Sequence, residues 1–193
     1  MLETVTPTPT IKAQRTIRPI GVYALYGLAA WNDRLVALDH VRGFLLEINP
    51  QTDNTKVLNP LQTEAFIGAT GIAIADETVW FAKDNSIYFC DLKQFTPELF
   101  ITLPYSADGV GVWGSTIYVT CQKAGYIYVY ERDARRKITQ FPLPGVGSTN
   151  LTIRDEELWL CDRIEQTVYC FDRATGEFQF SVITPFESPT ALT

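Results

Sequence analysis

The stretch from Gly109 to Glu131, GVGVWGSTIYVTCQKAGYIYVYE, contains a pattern that recurs along the rest of the chain. It opens with small apolar residues, passes through a polar turn into an apolar run, and then repeats the turn and the run. Similar copies begin at Gly27, Gly71 and Asn150, and a short fifth copy begins at Thr190. A turn and one more strand-like run follow each complete copy, so the pattern predicts four short strands per repeat.

The length of the repeat and the pattern of its apolar runs together predict a β-propeller. The copies begin roughly 40 residues apart, which is the length of a propeller blade. Runs such as Tyr126 to Tyr130 are apolar on both faces, so both faces of the predicted sheets must be covered. Sheets arranged radially cover one another in this way. The first strand of each copy is rich in glycine and alanine, as expected for strands that crowd together at the axis of a ring. The alternative to the propeller is a two-sheet sandwich.

We therefore expect an all-β protein with four complete four-stranded blades, beginning near residues 27, 71, 109 and 150, and a partial blade beginning near residue 190. The composition of residues 1–10 predicts a mobile arm, and the propeller repeats are expected to occupy residues 11–193. Residues 11–20 predict a strand that completes a sheet begun at the other terminus. Because the last copy breaks off, the pattern indicates the N-terminal part of a larger ring. A five-bladed ring built with both termini is the alternative.

The composition excludes several classes of partner. The chain has a net charge of -6, which argues against nucleic acid or an anionic membrane surface as a partner. Its N-terminus is polar and its longest apolar stretch is too short to span a bilayer, so a soluble protein is expected. The four cysteines show neither metal-binding nor redox spacing. They are expected to be buried free thiols, which favours a reducing, cytoplasmic location.

A propeller is expected to bind its ligand at the mouth of the ring, where two sets of loops meet. The loops entering the innermost strands supply Tyr26, Thr70, Asp108, Thr149 with Asn150, and Thr190. The loops joining second and third strands supply Asp39, Lys83, Gln122 and Asp162. The turn after the innermost strand adds two tryptophans as a possible contact surface, Trp31 and Trp113. The candidate binding residues at the propeller rim are Tyr26, Thr70, Asp108, Asn150, Trp31 and Trp113.

These residue types do not form a catalytic set, so no catalytic residue is predicted. The one histidine, His40, is interpreted as a polar turn residue. Asp108 and Asn150 carry oxygen donors, but a calcium ion needs six or more oxygen ligands. We therefore expect no metal and no cofactor, with calcium at these two residues as the alternative. A column of equivalent positions on the second strand is expected to form contacts between blades: Val36, Trp80, Tyr118 and Trp159.

The strand and turn pattern from Ile20 to Thr193 resembles the blades of NHL, YVTN and SMP-30-like propellers. The run from TIRPIG at residues 16–21 to PFESPT at residues 185–190 resembles, more specifically, the N-terminal region of bacterial transglutaminase-like proteins. That resemblance implies a papain-like domain further along the chain, with its own Cys, His and Asp residues.

The expected function is therefore a non-catalytic scaffold that binds a ligand, a downstream domain of the same chain or another protein. Any transglutaminase-like cysteine chemistry would lie beyond residue 193. The resemblance to SMP-30-like proteins implies the alternative, a calcium-dependent lactonase-like hydrolase.

Overall fold

A computed structural model describes residues 9–17, 24–185 and 187–193, which form four four-stranded antiparallel sheets. Consecutive strands are hydrogen-bonded neighbours in every sheet, so each repeat folds as a meander. The strands are, in chain order, β1 Leu25–Trp31, β2 Arg34–Asp39, β3 Phe44–Ile48, β4 Thr55–Val57, β5 Ala69–Ala75, β6 Thr78–Lys83, β7 Ser86–Asp91, β8 Glu98–Thr102, β9 Gly109–Trp113, β10 Thr116–Cys121, β11 Tyr126–Glu131, β12 Arg136–Pro142, β13 Ser148–Arg154, β14 Glu157–Asp162, β15 Thr167–Asp172 and β16 Phe178–Ile183. A 3₁₀ turn, Gln122–Ala124, follows β10. Blades 1 to 4 contain four successive strands each.

The first strand of each blade lies at the centre of the ring. Strands β1, β5, β9 and β13 pack in succession, and β5 also contacts β13 across the axis. A Cβ atom at Gly71 would lie only 2.8 Å from the Cα atom of Gly109, so this approach requires glycine. The predicted fold, an all-β propeller with four complete four-stranded blades, is confirmed. The alternative of a two-sheet sandwich is wrong.

Hydrophobic clusters join each blade to the next. Successive side chains of a second strand point to opposite faces of the sheet, and these faces pack against the neighbouring blades. Both faces are therefore apolar. The clusters between blades 1 and 2, 2 and 3, and 3 and 4 contain, respectively, Val36 with Phe81, Trp80 with Ile117, and Tyr118 with Leu158. Three members of the predicted column, in blades 1 to 3, therefore face the following blade.

The junction between blade 4 and blade 1 is built differently. The described residues include no hydrophobic cluster shared by these two blades; the cluster on blade 1 is covered instead by Ile17. Residues 187–193 lie between the innermost strands β13 and β1. The Thr149 hydroxyl donates to the Thr190 carbonyl at 3.3 Å, and the Thr190 hydroxyl donates to the Leu25 carbonyl at 3.5 Å. The short fifth copy therefore lies where the next innermost strand would begin.

The described part of the N-terminal segment, residues 9–17, contains a single bridge in place of the strand expected at residues 11–20. Within the described part of that segment, residues 11–17 contain no strand, and residues 18–20 lie outside the described ranges. Pairing with blade 4 consists, within the described residues, of a parallel bridge between Thr10 and Ile183. Its hydrogen bonds run from Ile11 N to the Ile183 carbonyl at 3.3 Å and from Ile183 N to the Pro9 carbonyl at 2.9 Å. Polar residues Lys12, Gln14 and Arg15 interrupt the apolar alternation; Arg15 instead pairs with Asp53 of blade 1. Most of the predicted arm, residues 1–8, also lies outside the described ranges.

The four cysteines are buried and free, as expected. Cys161 lies opposite Val168 and Cys170 lies opposite Trp159, so the two thiols of this hairpin do not face each other. Burial raises the pKa of both Cys90 and Cys161 to about 12. These thiols are therefore protonated at neutral pH and poorly nucleophilic. In residues 9–17, 24–185 and 187–193 no helix has the length and apolar character needed to cross a membrane.

Candidate functional site

Three of the candidate binding residues line one small cavity at the rim of the propeller. The loops entering three innermost strands bring together Tyr26, Thr70 and Asp108, and Thr149 supplies the fourth equivalent position. The cavity has a volume of about 160 Å³. The ring of Tyr26 stacks on His40 with centroids 4.4 Å apart, which orients the tyrosine. The loops of the four repeats thus converge as the sequence predicts.

The polar groups of this rim cavity are not all paired. Asp108 accepts a hydrogen bond from the Gln122 backbone N–H at 2.7 Å. The side-chain Oε1 of Gln122 is buried and has no hydrogen-bond partner within the described ranges. Burial raises the pKa of Asp108, while the Gln122 N–H and the nearby Arg163 act in the opposite direction. The Asp108 carboxylate and the Gln122 Oε1 are therefore oxygen acceptors that retain capacity for a donor.

Asn150 lies in the interior of the ring and does not line the rim cavity. Its side chain is fully buried, and its Oδ1 accepts from the Leu151 N–H at 2.9 Å. Its Nδ2 has no partner among the residues that the structure describes. One carboxylate oxygen of Asp108 and the Asn150 Oδ1 already accept backbone hydrogen bonds. The part of the chain that is described contains no group of three or more His, Cys, Asp and Glu residues suited to a metal ion. Calcium binding stays a prediction.

The other loop residues expected near the mouth have structural roles, except Gln122. Asp39 and Asp162 are fully buried. The Asp39 carboxylate accepts from the backbone N–H groups of Val41 and Arg42, which fixes the turn between β2 and β3. Asp162 does the same for its own turn and also accepts from Gly147 N–H at 3.0 Å. Such Asx turns explain why aspartate recurs at this position.

Trp31 and Trp113 lie at the opposite end of the ring from the rim cavity. They end the innermost strands β1 and β9, whereas Tyr26 and Asp108 lie near the beginnings of the same strands. Trp31 packs against the cluster between blades 1 and 2. Trp113 is 38% exposed and lies 5.4 Å from the Arg173 guanidinium in a cation–π arrangement. The six candidate residues therefore do not form a single site.

A larger cavity opens at this second end of the axis. It has a volume of about 560 Å³, and residues of all four innermost strands line it. Arg154, the last residue of β13, and the half-buried Trp159 also line it. Arg154 occupies the position equivalent to Trp31 and Trp113, so the same column of the repeat could have identified it from the sequence.

The pKa of Asp108 leads to a prediction about stability. Because burial raises the folded-state pKa above the usual 3.8, the protonated carboxyl favours the folded state. The resulting contribution to stability is fully present at pH values below the usual pKa of 3.8. It is lost as the pH rises through the folded-state pKa. Asp108→Asn should therefore raise the melting temperature at neutral pH and leave it unchanged in acid, as thermal unfolding at several pH values would show. Equal shifts at every pH would contradict this account.

Comparisons with known proteins identify the fold. No protein-family model and no curated protein matches the sequence. A chain of the nidogen/laminin complex superposes with a TM-score of 0.66 at 12% identity, over 88% of this chain and 67% of that chain. Streptogramin B lyase gives 0.55 at 17%, over 83% of this chain and 55% of that chain. The computationally designed Ika4 protein gives 0.50 at 12%, over 83% of this chain and 99% of that chain. The present chain thus spans just over half of the lyase chain. At these identities the likenesses show the fold alone, which is that of a β-propeller.

Proposed function

We propose that this chain is a non-catalytic binding propeller whose rim cavity receives a hydrogen-bond-donating side chain of a partner protein. The convergence of Tyr26, Thr70, Asp108 and Thr149, one from each repeat, is the observation that supports this function. The rim cavity, at about 160 Å³, is smaller than the roughly 300 to 1,000 Å³ typical of small-molecule sites. Its size therefore suits one inserted side chain better than a whole substrate molecule.

The chemistry of the cavity indicates a cationic side chain, lysine or arginine. The Gln122 Oε1 is buried without a partner in the described residues, and an unsatisfied buried acceptor costs about 1 to 3 kcal/mol. A donor that reaches it would recover this free energy. The Asp108 carboxylate of the same cavity adds a charge-assisted hydrogen bond, which is stronger than a neutral one. Arg163, also at the cavity, is exposed and can move aside for the incoming cation.

The partner is either a separate protein or another domain of the same polypeptide. The resemblance to transglutaminase-like proteins supports the second source, since their propeller-like region precedes a papain-like domain. In that case the rim cavity would hold a side chain of the catalytic domain, and the propeller itself would perform no chemistry.

A pair of isosteric variants tests this function. Asp108→Asn removes a carboxylate from the rim cavity, and Asp155→Asn removes one from an exposed turn at the opposite end of the ring. The immobilised protein would be exposed to an extract of its native source, and the retained proteins would be identified by mass spectrometry. We expect a partner whose retention falls about tenfold or more with Asp108→Asn, since a charge-assisted hydrogen bond contributes roughly 1.5 to 3 kcal/mol. Asp155→Asn should retain it fully.

If neither a separate protein nor a longer form of this polypeptide is retained, or if both variants retain the same proteins equally, the proposal is wrong. Circular dichroism of each variant confirms that it is folded.

A further inference from the structure

The cavity at the second end of the axis, which we call the axial cavity, has the features of a small-molecule site. Its volume of about 560 Å³ lies within the usual range of roughly 300 to 1,000 Å³. Its walls are mainly aliphatic, with Ala30, Ile74, Val112 and Ile153 contributed by the four innermost strands. Trp159 forms part of the wall, and its indole Nε1 donates to Glu157 at 2.9 Å, so the ring is held in place.

The lining of the axial cavity, which also includes Leu192 and Thr193, contains one charged side chain among the described residues. Arg154 is exposed, and it is the one charged side chain among the described lining residues. Glu157 lies opposite Arg154 on β14, but no hydrogen bond or ion pair joins the Arg154 side chain to another residue of the described ranges. Its guanidinium therefore remains available to an anion at the mouth of a space whose walls are mainly aliphatic side chains.

The acidic residues near this mouth are largely neutralised by other cations. Four ion pairs account for them: Asp33 with Arg34, Asp76 with Arg132, Glu77 with Lys93, and Glu156 with Arg173. Glu157, opposite Arg154 on β14, accepts a hydrogen bond from Trp159 and keeps its charge, and Asp155 is an exposed carboxylate on the adjoining turn. Among the described side chains that line the cavity itself, the charged one is Arg154.

We infer that the axial cavity binds an apolar carboxylate, with the alkyl chain along the axis and the carboxylate paired with Arg154. Burial of each CH₂ group contributes about 0.8 kcal/mol, and the planar guanidinium can form two parallel hydrogen bonds to a carboxylate. Apolar surface supplies the affinity, and Arg154 selects a ligand with an anionic end. This site is independent of the rim cavity, which lies at the other end of the ring.

Decanoate and decan-1-ol, which share a chain length and differ in charge, are the probes. Tryptophan fluorescence follows the titration because Trp159 lines the cavity, and calorimetry gives the stoichiometry. We expect wild-type protein to bind one decanoate saturably, below its micellar concentration, and to bind decan-1-ol more weakly. Arg154→Gln should weaken decanoate binding about tenfold or more and leave decan-1-ol binding unchanged. The matched control is Arg163→Gln, which removes an exposed arginine at the rim cavity. It should change the binding of neither decanoate nor decan-1-ol.

A second variant tests the location independently of charge. Ala30 is exposed at the cavity wall, so Ala30→Phe should fill the space without disturbing the packed clusters and should abolish binding of both probes. Absence of saturable decanoate binding to wild type would overturn the inference. So would equal binding by Arg154→Gln, or by a folded Ala30→Phe variant. None of these results bears on the partner at the rim cavity.

Discussion

Gly109→Ala is expected to lower the melting temperature by about 6 to 12 °C. A Cβ atom at residue 109 would lie 2.6 Å from the Thr149 carbonyl oxygen and 2.8 Å from the Asn150 Cα atom. Both are backbone atoms of the neighbouring innermost strand, so relief requires a shift of blade 4. Overpacking of this kind costs about 3 kcal/mol or more where the surroundings cannot yield, and each kcal/mol corresponds to roughly 2 to 4 °C in a domain of this size.

Gly114→Ala is the matched control for Gly109→Ala. Gly114 has a φ of +55°, and an added Cβ would meet no atom within 4 Å, so alanine there incurs only backbone strain of about 1 kcal/mol. Thermal unfolding followed by circular dichroism compares the two variants. If Gly109→Ala costs no more than Gly114→Ala, the innermost strands are not packed as closely as described.

The crowding at the axis is the part of the fold that the sequence predicts best. Glycine and alanine recur where strands of different blades must approach, and the same recurrence places the second strands between neighbouring blades. Trp80 and Tyr118 are 4% and 2% exposed, as an apolar column between blades requires. Trp159 belongs to the same column but is only half-buried, because blade 4 shares no cluster with blade 1 in the described residues. A repeat pattern specifies which way a side chain faces but does not specify what covers it.

The candidate site was harder to predict because it depends on which end of a strand each residue occupies. Tyr26 and Asp108 lie near the beginnings of innermost strands, whereas Trp31 and Trp113 end them. The two groups are therefore separated along the ring axis by the length of one strand. The prediction that the two groups lie on the same rim was therefore wrong. Arg154 was missed because only the two tryptophans of its column were considered as candidates, although Arg154 and Ala75 end the equivalent strands. Its importance appears only when the four innermost strands enclose a cavity.

Phe81→Ala is expected to cost about 3 to 5 kcal/mol of unfolding free energy, the range for removing a buried phenylalanine side chain. Phe81 is 1% exposed and belongs to the cluster that joins blade 1 to blade 2. Its ring lies 4.6 Å from Phe66 and 5.4 Å from Tyr88, centroid to centroid. These neighbours belong to a strand and a connector held by their own hydrogen bonds, so they cannot collapse fully into the space. Urea unfolding measures the loss.

Phe178→Ala makes the same chemical change at an exposed position. Phe178 is 54% exposed on the outermost strand of blade 4, so its replacement should cost about 1 kcal/mol or less. Phe66→Ala combined with Phe81→Ala should cost less than the two single changes together, because removal of either ring already disrupts their shared contact. Equal losses for Phe81→Ala and Phe178→Ala would mean that blades 1 and 2 do not share a close-packed core. If the losses in the double variant are strictly additive, Phe66 contributes to stability independently of Phe81. In that case the contact between the two rings does not hold the connector to blade 2.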